Sequence, residues 1–439
     1  TVAMSVAAGM NSFQLGTGVE ISKLERLRED YLDVQLRAEN KNLGYWEAKS
    51  DSLTKIEEIF NEPSDEGLAY IMNEFWKGWQ ELAKDPDSAA ARAVVRQRGV
   101  AVTETFKYIM DSLDQMQTDL KHVIVTKTEE VNSLAKQIAK LNDQIARLVV
   151  NNYDPNDLYD QRDLLIDQLS KIVEVKVTAS THGMVDISVG GGILLQGNTA
   201  NSLTLEFDEA TGLVDPDTIM LGDKKINLVS GELWGRIESY GIVGGGREST
   251  IPYIKGKIND FAMTVVSAVN AAHRNGESLD NIKNGTTEKV DFFTGNSAQN
   301  LAVNPLIMDS LDLIAAALKD PATGIASTGN GENAKLIANT LLMKDLQFTD
   351  STSTVNDFYR NIIGQLGIDS QEAGRMRDNF QGVVQQIENR RQSISGVSLD
   401  DEMANMIKFQ QAYNAAARVV SVMDECLDKV INGMGRVGL

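Results

Sequence analysis

Cysteine occurs once in 439 residues, at Cys426. That excludes an internal disulfide and leaves no thiolate set from which to build a zinc cluster. Proline is nearly as scarce, with 7 in the chain, and the long periodic runs it leaves unbroken predict a largely helical protein. Histidine occurs at His122, His182 and His273 only, far apart and without acidic or cysteine partners at ligand spacing; surface or packing roles are expected. The H-E-x-x-H, G-x-S-x-G and P-loop patterns are absent. The glycine triplets at 190–192 and 244–246 lack the strand, G-x-G-x-x-G and helix order of a dinucleotide site, so they read as turns or hinges. Long apolar runs are missing too, and no membrane span is expected. The first ten residues carry no basic region of a secretory signal. Basic residues number 42 against 62 acidic ones, a net charge of -20, which would repel nucleic acid and anionic membranes alike. The expectation is a protein with no catalytic residues, no metal and no cofactor.

What the chain does contain is periodicity, and most of all at its end, 398–439. Leu399, Met403, Met406, Tyr413, Ala417, Val420, Leu427, Ile431 and Met434 recur there in alternating steps of four and three, a coiled-coil seam. Gln410 and Asp424 are the two polar residues on it. Buried, they would fix register or partner number; alternatively, Asp424 faces a basic group of a neighbouring subunit. Ser398 with Asp401 reads as the start of the helix, and Gly433 and Gly435 as its close. Beyond Ala417, Val419, Val422, Met423 and Val430 widen the apolar stripe past one face, so the helix wants more than one neighbour. A surface helix packed on its own domain is the competing reading. Four methionines in this helix suit a surface that repacks against different partners, or simply fill a core. Cys426 falls on the outer side, as a small filler.

Upstream, residues 1–19 are small and glycine-rich and read as extended. A helix is expected over 21–60, with Leu24, Leu27, Tyr31 and Val34 on one face and Gly44 as a weak point. A shorter, aromatic-rich helix is expected at 66–84. The longest helical stretch, 88–150, carries one heptad run at Phe106, Ile109, Leu113, Met116, Leu120 and Val123, and another at Val131, Leu134, Ile138, Leu141, Ile145 and Leu148. Lys127 joins them in a stutter, and Gly99 is a candidate interruption. At about 1.5 Å per residue this helix would span on the order of 90 Å, a rod. A further helix is expected at 158–171. From 173 to 243 β-branched residues alternate with polar ones between Gly, Asn and Asp turns. Helices return at 253–273, 333–346 and 355–393, around a loop-rich stretch at 275–331.

The expected fold is therefore mainly α with an inserted β-rich domain: a long antiparallel coiled-coil or helical-bundle rod built from both chain ends. Its parts are an extended segment at 1–19, rod at 20–172, β-rich outer domain at 173–250, rod again at 251–397, and an assembly helix at 398–439. Pairing of the first and last helices would bring the termini together and push the middle of the sequence outward at the far end of the rod.

The stretch SISGVSLDDEMANMIKFQQAYNAAARVVSVMDECLDKVI (393–431) resembles the C-terminal segment of the axial proteins of the bacterial flagellum, with Asp401 where Glu is usual. LREDYLDVQLRAE (27–39), FWKGWQELAKDPDSAAARAVV (75–95), AKQIAKLNDQIARL (135–148), DLYDQRDLLIDQLSKIVEVKV (157–177), GILLQGNTANSL (192–203), GELWGRIES (231–239), VNAAHRNG (269–276) and DFFTG (291–295) extend the likeness. The C-terminal pattern is shared across the group, whereas LNDQIARL with DQRDLL resembles the hook–filament junction family within it.

The resemblance implies a flagellin-like fold and a non-enzymatic subunit, exported through the flagellar type III channel without a cleaved signal and assembled outside the cell. Its implied partners are neighbouring copies in a tubular ring, the hook protein, a second junction protein and the filament protein. An export chaperone is expected on the C-terminal helix. Relatives carry several tens of residues before the equivalent of Val19, so a chain cut short at its start, unable to polymerise alone, is expected. The segment after Phe293 is short where some relatives insert a further β domain. Other readings are a filament or hook subunit, or a secreted helical adhesin with a β tip.

Overall fold

The structure, a computed structural model, describes residues 2–3, 19–20, 26, 28–396 and 399–433. Four helices come first: α1 (Asp30–Phe60), α2 (Leu68–Lys84), α3 (Ala89–Val149) and α4 (Asn156–Ile172). Capping sets their limits. The Ser88 hydroxyl accepts from the Ala91 amide at the start of α3, and the Glu62 carboxylate accepts from the Ala69 amide at the start of α2. α2 drives Phe75, Trp76 and Trp79 into the core, where Phe75 and Trp79 meet Phe292 and Phe293 with ring centroids 5.3–5.7 Å apart.

Short strands β1 (Val2–Ala3) and β2 (Val19–Glu20) form an antiparallel ladder near the chain's start. The β-rich part is two antiparallel sheets. One has the order β3 (Lys176–Ala179), β4 (Val185–Val189), β5 (Gly192–Gln196), β6 (Thr199–Ala200); the other is β7 (Leu203–Thr204), β8 (Met220–Leu221), β9 (Lys224–Lys225). After them come α5 (Glu232–Tyr240), α6 (Thr250–Asn275), the short α7 (Leu279–Asn284) and α8 (Pro305–Asp309), α9 (Glu332–Asn339), α10 (Val355–Ser395) and α11 (Leu399–Asp428).

α1 and α10 run antiparallel along their length. Tyr359 donates to Glu62 at 3.1 Å, Ser370 to Glu57 at 2.7 Å and Arg377 to Ser50 at 3.2 Å, and Arg391 reaches Asp33 at 3.4 Å. The first helix thus pairs with α10, where pairing with the last helix was expected. Its inward face also differs. Tyr31 and Val34 are exposed, and Leu32 and Leu36 one and two positions on are buried; Leu24 and Leu27 lie outside the described residues. Gly44 is no weak point in α1. A Cβ there would stand 2.1 Å from the Lys171 carbonyl oxygen, so only glycine lets α1 approach the end of α4. Likewise α3 runs unbroken through Gly99, which makes room for the Phe292 ring.

Two further expectations are corrected. The stretch 173–250 is not β throughout, because α5 lies inside it and packs against α1 and α3. Gly231, at φ +92, starts α5 with its amide on the Lys41 carbonyl at 3.1 Å. Nor do the sheets project from the rod's far end. They lie along the second half of α3, held through Asn132 and Asn142, and Gly183 abuts Tyr159, over whose ring Arg26 sits. The β-rich part is therefore beside the point where the chain runs into α1. The first half of α3 is covered instead by the later segment, through Phe292, Val303 and the Leu311 and Ile314 carbonyls that accept from Arg92.

Candidate assembly surface

Two seams were read from the sequence, and the fold treats them oppositely. On α3, Phe106, Ile109, Leu113, Met116, Leu120, Val131, Leu134, Ile138 and Ile145 are buried. Val123, Leu141 and Leu148 are only half-buried. The inward positions there are Ile124, Thr128 and Asn142, so the stutter runs Leu120, Ile124, Thr128 and not through Lys127. This seam is spent inside the chain.

The C-terminal seam is open. Every described residue of α11, and of the π-helical turn Lys429–Gly433 that follows it, is exposed. Leu399, Met403, Met406, Gln410, Tyr413, Ala417, Val420, Asp424, Leu427 and Ile431 all face solvent, Leu399 at 82% and Tyr413 at 74% of full exposure. Ser398, Met434 and Gly435 lie outside the described residues. Off the seam, Ile407, Val419, Val422, Met423 and Val430 are also exposed. Monomeric proteins rarely carry contiguous apolar area on this scale, and such a patch marks an interaction surface. Asp400, Asp401 and Glu402 in the first turn oppose the helix dipole favourably. Cys426 is exposed on it.

At the root of α11 the sequence reading missed a charge cluster. Arg26 reaches Asp160 and Asp163, each at 2.7 Å. Arg28 reaches Asp163 at 2.7 Å and Asp33. Arg37 meets Asp167 at 2.8 Å, and Arg391 meets Asp167 at 2.6 Å and Glu388 at 3.0 Å. Burial disfavours the charged forms of Arg28 and Arg391, yet hydrogen bonds and attraction from Asp33, Asp163 and Asp167 outweigh it and raise both above the ordinary guanidinium value. The signal lay in LREDYLDVQLRAE and DQRDLLIDQLSK, whose acids and arginines meet here.

Among the described residues no group of His, Cys, Asp and Glu is placed to hold a metal ion, and no helix is long and apolar enough to cross a membrane. His122 and His182 are exposed and His273 is buried. A cleft of about 720 Å³ between α1, α6 and α10 contains Tyr45, Lys49 and Glu238. There the Tyr45 hydroxyl donates to Glu238 at 2.6 Å, while Lys49 donates to Glu238 at 3.2 Å and to Thr250 at 3.0 Å. Burial, then the bond to Glu238, pushes the Tyr45 hydroxyl far above its usual range. Glu238 thus accepts from both Tyr45 and Lys49.

Comparison with known proteins follows the same lines. The family model described as "Flagellar hook-associated protein FlgK helical domain" matches residues 53–293, and "Flagellar basal body rod FlgEFG protein C-terminal" matches 389–433, the end of α10 and all of α11. Flagellar hook-associated protein 1 of Bacillus subtilis (strain 168) is 39% identical over 459 residues, spanning 99% of this chain and 89% of that one. The protein of the same name from Escherichia coli (strain K12) is 25% identical, spanning 95% and 90%. The solved flagellar hook junction protein FlgK from Burkholderia pseudomallei superposes with a TM-score of 0.66 over 83% of this chain and all of that one, at 14% identity, a likeness of fold. Taken with the exposed axial-type helix, these matches place the chain in the flagellar hook-associated protein 1 family.

Proposed function

We propose that this chain is a structural subunit of the bacterial flagellum, an adaptor joining hook to filament, with α11 as its assembly helix. The observation that carries the reading is α11 itself: an axial-protein sequence, apolar on several sides, wholly exposed in the single chain. Burying it in a tube would remove apolar area from water at about 25 cal/mol per Å², a driving force the isolated chain leaves unused. The partners are neighbouring copies in a tubular ring, the hook protein on one side, and a second junction protein and the filament protein on the other. Before assembly an export chaperone covers α11, and export runs through the flagellar type III channel to the outside of the cell. The relatives are hook-associated proteins by name, which supports a structural, non-enzymatic role. Electron microscopy of cells lacking this protein, with the medium assayed for filament protein, tests the proposal. Bare hooks and abundant monomeric filament protein in the medium are expected. Normal filaments would overturn it.

A further inference from the structure

Two sequence stretches that the function leaves unexplained, 27–39 and 157–177, meet in space at the arginine–aspartate cluster. We infer that this cluster is an electrostatic clamp fixing the start of α1 and the end of α10 against α4. Its positive members are Arg26 and Arg28 ahead of α1, Arg37 on α1 and Arg391 on α10; its negative members are Asp33 on α1, Asp160, Asp163 and Asp167 on α4, and Glu388 on α10. Asp167 is held by Arg37 and Arg391 together, and Asp163 by Arg26, Arg28 and Arg37, so α4 is the common anchor.

Charge carries this end because apolar packing there is thin. Beyond Ala373, Ile387 is the one fully buried residue on the described part of α10, and it forms a small core with Leu32 and Leu36, separate from the main one. Arg391 stands four residues before the last residue of α10 and eight before Leu399. Arginine–carboxylate contacts shared among α1, α4 and α10 hold direction as well as distance, so the clamp fixes the direction in which α10 ends. The pairs are part-buried, with side chains 7–23% exposed apart from Asp160 and Glu388, and a cleft of about 490 Å³ opens onto Arg26, Arg28 and Arg391. Salt can therefore reach them.

The bearing of this clamp on assembly rests on the reading of α11 given above, but its test uses the free 439-residue chain. Amide hydrogen exchange is followed at 28–38 and 384–396 in the wild type and in Arg391→Met, which keeps the alkyl stem and removes the charge. Exchange at 384–396 should rise about tenfold in the variant while α3 and α6 stay unchanged. In the wild type, going from about 0.1 M to about 1 M salt, where the screening length falls from about 10 Å to about 3 Å, should speed exchange in the same two windows severalfold. Arg391→Met should have lost most of that response at 384–396. Equal exchange at both salts in the wild type would overturn the clamp without needing any variant. So would an Arg391→Met chain that exchanges like the wild type, or one that loosens equally throughout. None of these failures would touch the junction reading, which stands or falls on the filament phenotype.

Discussion

His273 shows how burial alone decides what a titratable side chain does. It is 1% exposed on α6, edge-on to Trp79 and Phe292. Its Nδ1 donates to the Val290 carbonyl at 2.6 Å, and its Nε2 accepts from the Ala315 amide at 3.0 Å, an arrangement that needs the neutral ring. Desolvation outweighs the bond to Val290 and pushes its pKa down to about 4. The unfolded imidazole takes up a proton near pH 6.5, and the folded one does not until about 4. Stability is therefore lost as pH falls through that window, by on the order of 3 kcal/mol, and the loss levels off below it. His273→Gln should be less stable at pH 8, by about 1–3 kcal/mol for the displaced hydrogen bonds, but its melting temperature should fall less steeply between pH 6.5 and 4. Parallel profiles for the two proteins would mean that His273 is protonated inside the fold. The sequence left His273 indistinguishable from His122 and His182, because no local pattern records that the Val290 carbonyl and the Ala315 amide close around it.

Along α3 the same limit appears at the level of the element. A strict seven-residue repeat drifts by about 20° per heptad against a straight helix, and α3 runs 61 residues. The inward stripe consequently slides by one position, from Val123 to Ile124 and from Leu141 to Asn142, while Phe106 to Leu120 stay where the period puts them. Existence and length of the helix were legible in its periodicity; the polar residues that bind the sheets to it were not. α5 was also hidden, since nine residues between Gly231 and Gly241 are too few to show a period among strands. Asn142 is fully buried. Its amide donates to the Val185 and Gly197 carbonyls, both at 2.7 Å, and its oxygen accepts from Val185 at 3.3 Å and Arg162 at 3.2 Å. Asn132 makes the paired bonds to Leu203, ten residues earlier. Asn142→Ala would leave two carbonyls and a buried guanidinium short of partners. We expect a loss of about 2–4 kcal/mol in urea unfolding, with faster exchange in β4 than in α1. The exposed neighbour Lys140→Ala should change stability by no more than about 0.5 kcal/mol. A loss for Asn142→Ala as small as that control would show the sheets to be held by apolar packing alone.

For the whole molecule the decisive contrast is between a seam used within the chain and one left over. Both have the same residue types and spacing, so the sequence marks each as a packing surface without saying which is satisfied internally. Topology supplies the difference: α3 lies beneath the sheets, α2 and the later loops, whereas α11 follows the last body helix and has every described side chain in solvent. Substitution should separate stability from assembly accordingly. Val420→Asp and Leu427→Asp place a carboxylate on a surface that is already wet in the free chain, 66% and 55% exposed. Urea unfolding of the isolated protein should therefore shift by no more than about 0.5 kcal/mol. In an assembled seam the same charge is desolvated without a partner, at about 3–5 kcal/mol or more per copy, and repetition around a ring multiplies the penalty. Cells carrying either variant should show bare hooks and shed filament protein although the folded subunit is made in normal amounts. A variant that is destabilised in isolation would place α11 against its own body in solution, and one that still caps hooks and supports filaments would remove this face of α11 from the assembly interface.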